Sequence, residues 1–175
     1  TAGSVPSANA TTRIEDRDSF RILEKYPRVR DIILDKWKMV ADEFFKYQHD
    51  FAITTSWITE VQPGSSSQVH SHYNSMISGV YYFDTYDEFS SDIEFINPLT
   101  KFQSFWIEPR EPSLACSTLW SLPPRDKLLL FFPSYLEHRV AIHRGDETRY
   151  SLAFNIVPTG LIGGADSSYN NKWFN

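Results

Sequence analysis

The stretch Arg149-Tyr-Ser-Leu-Ala-Phe-Asn-Ile-Val157 alternates between bulky apolar or aromatic side chains and smaller or polar ones. Successive side chains of a β-strand point to opposite faces of its sheet, so this period of two predicts a strand with two different faces. Because Arg149 and Ser151 share one face, the pattern also predicts that an arginine and a serine point the same way.

Five other segments have the composition of short strands. They are rich in β-branched and aromatic residues, and most are followed by proline, glycine or asparagine. These predicted strands cover residues 51–61, 78–83, 92–96, 127–132 and 137–143. Repeated short strands separated by turns are typical of closed barrels and jelly rolls, so we predict a mainly β fold.

One helix is predicted before the strands. Apolar residues recur at spacings of three and four from Val29 to Phe45, which gives one continuous apolar stripe. We expect a helix over about residues 28–46 that packs on the outside of the barrel. Residues 1–12 are small and polar and predict a flexible N-terminus, whereas 13–175 are expected to form one domain.

The composition narrows the classes of partner. A net charge of −5 without a basic stripe argues against nucleic acid. The single cysteine, Cys116, excludes an internal disulfide and a multi-cysteine zinc cluster. Neither a run of membrane-spanning length nor the apolar stretch of a signal peptide occurs, so we expect a cytoplasmic protein with no membrane partner.

Three histidines are candidate metal ligands. On a strand, His70 and His72 would point to the same face and hold one ion from one wall. His138, from a later strand, would complete one side of the coordination sphere and leave the open positions that non-haem iron needs. Histidine pairs are also common on surfaces, so the pair alone is weak evidence. His49 and His143 are predicted to face solvent.

Arg149 is the candidate anion-binding residue. A buried arginine needs an anionic partner, and its planar fork matches a carboxylate, to which the neighbouring Ser151 hydroxyl can also donate. The alternative is an ion pair of Arg149 with Asp146 or Glu147 at the end of the strand.

Three segments resemble a family of 2-oxoglutarate/Fe(II) oxygenases found in bacteria and their phages. The family patterns are H-x-H-x-N-S-x-x-S-G-V-Y-Y, L-x-x-F-P-S-x-L-x-H and R-G-D-E-x-R-x-S-x-x-F-N. In this chain they correspond to His70-Ser-His-Tyr-Asn-Ser-Met-Ile-Ser-Gly-Val-Tyr-Tyr82, Leu128-Leu-Leu-Phe-Phe-Pro-Ser-Tyr-Leu-Glu-His138 and Arg144-Gly-Asp-Glu-Thr-Arg-Tyr-Ser-Leu-Ala-Phe-Asn155. The segments occur in the family's order, and the resemblance covers about residues 51–163.

The resemblance implies a double-stranded β-helix, which is a jelly-roll, cupin-like barrel, with a supporting N-terminal α-helix and iron near its open end. It implies His70 and His138 as ligands of Fe(II), and Arg149 with Ser151 as the clamp for the far carboxylate of 2-oxoglutarate. Asn74, Tyr81 and Asn155 are further candidates to line the co-substrate pocket, although each could equally satisfy hydrogen bonds at a strand end. Trp57 and Trp120 are expected in the core.

His72 stands where the wider superfamily usually has a carboxylate. Either the site has three histidines, or a carboxylate comes from elsewhere, with Asp84 and Glu137 the nearest in sequence. Three neutral imidazoles would leave the ion with one more net positive charge than two histidines and an acid.

The resemblance implies a 2-oxoglutarate- and Fe(II)-dependent dioxygenase that uses O2 to hydroxylate a C–H bond of a small-molecule or peptidyl substrate. Two alternatives stay open: a cupin-like three-histidine dioxygenase that does not use 2-oxoglutarate, and a non-catalytic barrel binding module. Exposed strand edges also make a homodimer a hypothesis.

Overall fold

The computed structural model describes residues 20–101, 104, 105 and 107–171. The prediction of a flexible segment at residues 1–12 lies outside them. Within the described residues, no helix has the length and apolar character needed to cross a membrane.

The helical part comes first, as predicted. A short helix α1 spans Ile22–Lys25, and helix α2 spans Pro27–Val40 and continues as a π-helical turn over Ala41–Phe45. Pro27 occupies the first turn of α2, where its missing N–H removes no helical hydrogen bond. The helical segment ends at Lys46, whose φ of 60° is left-handed.

Nine strands follow the helices in the described part of the chain. Their bounds are β1 Phe51–Val61, β2 Ile77–Tyr81, β3 Ile93–Ile96, β4 Leu119–Leu122, β5 Leu129–Pro133, β6 His138–Val140, β7 Arg149–Pro158, β8 Gly160–Ile162 and β9 Tyr169–Asn171. The six predicted strands are present with small changes at their ends. The three strands not predicted, β4, β8 and β9, have three or four residues each, too few for an alternating pattern to be recognised.

The strands form two main antiparallel sheets and one small hairpin. The larger sheet has the order β1-β7-β2-β5, the second has the order β4-β3-β6, and β8 pairs with β9. An apolar cluster connects the two main sheets and contains Val80, Tyr82, Ile93, Phe95 and Phe132. The sheets therefore enclose a shared interior, which is the arrangement of a jelly roll.

Strand β7 divides the molecule into two sides. Its residues Leu152, Phe154 and Ile156 are buried in a second cluster with Ile33 and Trp37 of α2. Burial of each such side chain contributes about 1.5–3 kcal/mol. The alternate residues of β7 consequently face the interior between the sheets, where the candidate site lies.

Gly79 of β2 provides a test of this packing. A Cβ atom at this position would overlap the Phe154 ring and lie 2.7 Å from the Leu130 carbonyl oxygen. We therefore predict that Gly79→Ala lowers the free energy of unfolding by about 1–3 kcal/mol, the usual cost of overpacking. Urea denaturation measures this change. The control is Gly164→Ala, because nothing lies within 4 Å of a Cβ there. Equal stability of the two variants would contradict the prediction.

Candidate metal centre

Three histidines come together at the interior face of the barrel. The potential ligand atoms of His70, His72 and His138 all lie within 4.8 Å of one another. The ring centroids of His70 and His138 are 4.4 Å apart, and those of His72 and His138 are 5.1 Å apart. Imidazoles at these separations can direct nitrogen lone pairs at one ion.

The backbone places these rings by direct pairing. His70 and His138 form an isolated antiparallel bridge, in which each N–H donates to the other carbonyl at 2.9 Å. The His72 N–H donates to the Ser134 carbonyl at 2.8 Å. The expectation that His70 and His72 lie on a regular strand is thus corrected, because only this single bridge forms. Their ring planes are nevertheless nearly parallel, with an angle of 16° between them, and both residues line the same cavity.

Hydrogen bonds define which ring nitrogen of His70 and of His138 is free to bind a metal. The Nδ1 of His70 lies 2.8 Å from the Gln68 carbonyl oxygen, and the Nδ1 of His138 lies 2.9 Å from the Leu136 carbonyl oxygen. A carbonyl only accepts hydrogen bonds, so both Nδ1 atoms carry the proton. The Nε2 lone pairs are left for a metal, which is the usual arrangement of histidine ligands.

The three rings differ in exposure. His70 is exposed, His72 is half-buried, and His138 is only 5% exposed. Burial lowers the pKa of His138 to about 4, and it also lowers the pKa of His72. Both rings are therefore neutral at physiological pH, which is the form that binds metals.

No carboxylate joins this cluster among the described residues. Of the two candidates from the sequence, Glu137 accepts a hydrogen bond from the Lys101 ammonium group at 2.7 Å. Asp84 accepts one from the Thr85 N–H at 2.8 Å. The described donor set is accordingly three imidazole nitrogens, which suits iron, zinc or copper better than magnesium or calcium.

Arg149 is buried in the same cavity and has no ionic partner in the part of the chain that the structure describes. It is 4% exposed, and no carboxylate of the described residues forms an ion pair with it, so the alternative pairing with Asp146 or Glu147 does not occur. Its Nη2 donates to the Tyr82 hydroxyl at 3.2 Å, while its Nε has no hydrogen-bond partner. A buried guanidinium of this kind lacks a negative charge to balance it.

One cavity connects the arginine to the histidines. Its volume is about 240 Å³, and Arg149 and Ser151 line it together with the three histidines. This volume is below the range of about 300–1,000 Å³ that is typical of pockets for drug-sized ligands. The cavity therefore suits a small acid, with the metal ligands at one position and the cation at another. The donor set and the unbalanced arginine both fit Fe(II) and 2-oxoglutarate.

The remaining predicted pocket residues lie in different places. Asn74 is in an exposed turn with a φ of 56°, and Tyr81 packs on the side of the sheet that faces α2. Both expectations are corrected: a left-handed turn directs Asn74 away from the cavity, and strand alternation does the same for Tyr81. Asn155 contacts the His72 ring instead of lining the cavity. Trp57, expected in the core, lines the cavity beside His72.

Tyr82 is a cavity residue that the sequence reasoning missed. It follows β2 and shares a face with Ser78 and Val80, so strand alternation identifies it in place of Tyr81 only once the interior face of β2 is known. It is completely buried, and burial raises the pKa of its hydroxyl group to about 12. The phenol is therefore a neutral hydrogen-bond donor at physiological pH.

His143 is also placed differently from the expectation. It is 2% exposed, its Nδ1 accepts from the Ser91 N–H at 3.3 Å, and its Nε2 donates to the Glu147 carbonyl at 2.6 Å. The turn at Gly145 covers the ring, since a Cβ there would lie 2.9 Å from it. His143 thus holds two loops together, while His49 is half-buried.

The fold and the site define a jelly-roll protein with a histidine cluster inside its barrel, and comparison with known families narrows this class. A family model described as "Putative 2OG-Fe(II) oxygenase", where 2OG is 2-oxoglutarate, matches residues 55–155. The match covers more than half of the chain and includes the three histidines and Arg149. The chain belongs to this family of 2OG-Fe(II) oxygenases. Among curated proteins, no match is found.

Solved structures share the fold. The non-haem α-ketoglutarate-dependent carbocyclase SnoK from nogalamycin biosynthesis matches with a TM-score of 0.55 at 13% identity, over 78% of this chain and 61% of that one. A prolyl-4-hydroxylase from Pseudomonas putida matches with a TM-score of 0.53 at 15% identity, over 87% of this chain and 76% of that one. These likenesses confirm the predicted mainly β, double-stranded β-helix fold.

A third structure shows a difference in length. An oxidoreductase of the 2OG-Fe(II) oxygenase family from Burkholderia pseudomallei matches with a TM-score of 0.50 at 13% identity. The match covers 68% of this chain, which spans about half the length of that protein.

The buried His138 predicts how stability depends on pH. The pKa of this ring is about 4 in the folded protein and about 6.5 when unfolded, so the unfolded chain binds the proton more tightly. This contribution to the unfolding free energy is complete above pH 6.5 and decreases as the pH falls towards 4. Thermal unfolding of metal-free protein between pH 7 and 4.5 should show the decrease, and His138→Leu should make it shallower. His49→Leu serves as the control; equal slopes for His138→Leu and the wild type would contradict the prediction.

Proposed function

We propose that this protein is a 2-oxoglutarate- and Fe(II)-dependent dioxygenase that couples oxidative decarboxylation of 2-oxoglutarate to hydroxylation of a C–H bond. We propose a small-molecule or peptidyl substrate. The observation that carries the proposal is the buried, unpaired guanidinium of Arg149 in the cavity that the three histidines line. Such an arrangement suits a ligand that has a carboxylate at one end and a metal-binding group at the other.

His70, His72 and His138 would hold Fe(II), which supplies the redox chemistry with O2 that amino-acid side chains lack. The three residues line one cavity, and the Nδ1 hydrogen bonds of His70 and His138 leave the Nε2 lone pairs of these two rings free. This arrangement leaves the rest of the cavity accessible to small ligands, as family members that bind a co-substrate require. The exposed ring of His70 marks the side from which the site is open.

Arg149 would bind the far carboxylate of 2-oxoglutarate. The guanidinium is already desolvated, so an ion pair with the ligand balances a charge that is otherwise unpaired. Because Arg149 donates to the Tyr82 oxygen, the proton of that phenol is free to point to the same carboxylate. The hydroxyl group of Ser151, on the same face of β7, adds a further donor.

The walls of the cavity would limit access of water during the reaction. Trp57, Val80, Ile93 and Phe132 line it with apolar surface. A low-dielectric wall strengthens the interaction of Arg149 with a carboxylate and reduces side reactions with solvent. The direct test of the function is the release of succinate from 2-oxoglutarate in the presence of Fe(II), O2 and ascorbate. A folded, iron-loaded protein that neither binds 2-oxoglutarate nor turns it over would contradict the proposal.

Replacement of Arg149 tests the co-substrate contact. Removing one member of a buried charge pair costs about 2–5 kcal/mol, so Arg149→Met should raise the Kd for 2-oxoglutarate at least about 30-fold. Isothermal titration of the iron-loaded, oxygen-free protein measures this constant. The control is Arg144→Met, which removes an exposed arginine that does not line the cavity. An unchanged Kd for Arg149→Met would exclude this role for the guanidinium.

The three-histidine donor set also favours a second candidate, a cupin-like dioxygenase that does not use 2-oxoglutarate. In that case Arg149 would bind a carboxylate of the substrate itself. Addition of 2-oxoglutarate to the oxygen-free Fe(II) protein distinguishes the two. A new optical absorption band supports the first candidate, and an unchanged spectrum supports the second.

Replacement of the histidines tests the proposed ligand set, and loss of Fe(II) binding would argue against a binding module that holds no metal. We predict that His70→Ala and His138→Ala each abolish stoichiometric Fe(II) binding, because two of three ligands cannot maintain the site. Equilibrium dialysis with iron analysis measures the stoichiometry. His49→Ala is the matched control, since His49 lies outside the cluster. Full iron binding by both cluster variants would contradict the proposed ligand set.

A further inference from the structure

His72 is held differently from the other two histidines. The Nδ1 atoms of His70 and His138 donate to main-chain carbonyls, whereas the Nδ1 of His72 lies 2.8 Å from the side-chain oxygen of Asn155. A main-chain carbonyl is present whatever the residue. The His72 Nδ1 also lies 3.1 Å from the Ser78 hydroxyl oxygen, so its contacts depend on the identity of two side chains, of which Asn155 is the nearer.

The amide group of Asn155 is oriented by its other contacts. Its Nδ2 donates to the Thr55 hydroxyl at 2.9 Å, and its Oδ1 lies 2.8 Å from the Nδ1 of His72. The Ser78 hydroxyl donates to the same Oδ1 at 2.7 Å. The atom that faces Nδ1 of His72 is therefore an acceptor, and this requires the proton on Nδ1.

A chain of buried hydroxyl groups supports this acceptor. The Oγ atoms of Ser78 and Ser134 are 2.9 Å apart, and those of Ser134 and Ser75 are 2.8 Å apart. With Ser78 donating to Asn155, the Ser134 hydroxyl can donate to Ser78, while the Ser75 hydroxyl donates to the Ile77 carbonyl at 3.0 Å. Ser78 and Ser134 are 0% and 1% exposed, so water does not compete for these bonds.

We propose that Asn155 is a positioning residue that keeps His72 in the Nδ1–H tautomer, so that its Nε2 lone pair faces the metal position. The inference rests on the proposed metal site and extends it to residues outside the ligand set. The amide does this without adding a charge, so the centre keeps three neutral ligands and a neutral support. The competing interpretation is that Asn155 only connects β7 to β1 through Thr55.

The tautomer can be measured without metal. The ¹⁵N chemical shifts of the imidazole nitrogens distinguish Nδ1–H from Nε2–H rings, and His72→Gln identifies the signals of His72. The full chain is studied in chelator at pH 8, above the ordinary histidine pKa of about 6.5. We expect the Nδ1–H form in the wild type. Asn155→Leu should produce the Nε2–H form or a mixture, because the amide acceptor is lost and the Ser78 hydroxyl, no longer donating to Asn155, can donate to Nδ1 of His72.

Two further variants distinguish an Asn155 that positions His72 from an Asn155 that only connects β7 to β1. Asn155→Asp keeps an acceptor opposite Nδ1 and should retain the Nδ1–H tautomer. Thr55→Val removes only the side-chain hydrogen bond between β1 and β7, and the Ser78 hydroxyl still donates to the Asn155 oxygen, so this variant should also retain the tautomer. A purely structural role predicts that Thr55→Val behaves like Asn155→Leu.

Metal affinity provides a second measurement. Loss of a group that orients a histidine ligand typically weakens metal binding about 10–100-fold, which is the decrease we expect for Asn155→Leu. Asn155→Asp should bind within about threefold of the wild type, because the supporting hydrogen bond is kept. Co(II), followed by its visible absorption, is the probe, and thermal unfolding of the metal-free variants records their stability.

Three outcomes would overturn the inference: an Nε2–H ring at His72 in the wild type, an unchanged tautomer in folded Asn155→Leu, or an Nε2–H ring in Asn155→Asp. The first and the third outcome can be measured even if Asn155→Leu does not fold, so they still test the role of Asn155 in that case. Failure of the proposed function has a different signature. A wild type that lacks turnover or iron binding contradicts the enzyme assignment, whereas the metal-free tautomer still tests Asn155.

Discussion

The site depends on strand β7, because one face of this strand packs in the core beside the helices and the other face lines the cavity. It is hydrogen-bonded between β1 and β2, and Leu152, Phe154 and Ile156 are buried against the helical side. Burial of these side chains defines the register, since a shift of one residue would exchange the two faces. With this face committed to the core, Arg149 and Ser151 must lie in the interior between the sheets.

The charge balance of the interior follows from this arrangement. The described residues of the cavity include a buried arginine and three histidines. Burial keeps two of these histidines, His72 and His138, neutral. No carboxylate of the described residues joins the histidine cluster. Desolvation makes an unpaired cation costly, so an acidic ligand stabilises the protein when it binds. A site of this type favours an anionic ligand by its electrostatics, and the neutral amide of Asn155 supports His72 without reducing that preference.

The contrast between Tyr81 and Tyr82 shows how sequence patterns succeed or fail near a site. Both tyrosines lie in the family motif, and alternation assigns them to opposite faces once the faces of β2 are known. The sequence alone does not show which face of β2 lines the interior. The contact of Ser78 with Asn155 in the structure identifies that face. His143 is a similar case, because its burial results from two loops that are distant in sequence and from the close approach of Gly145.

The sequence by itself determined the mainly β fold, the N-terminal helix and six of the nine strands of the described residues, and the resemblance predicted His70, His138, Arg149 and Ser151, which the structure places around one cavity. These features are local patterns or short motifs, and side-chain periodicity follows directly from strand and helix geometry. Only the tertiary structure decided that His70 pairs with His138, that Trp57 and Tyr82 line the cavity, and that Asn155 supports His72. Each of these contacts joins segments tens of residues apart, and their distances are set by the packing of two sheets, which no local pattern encodes.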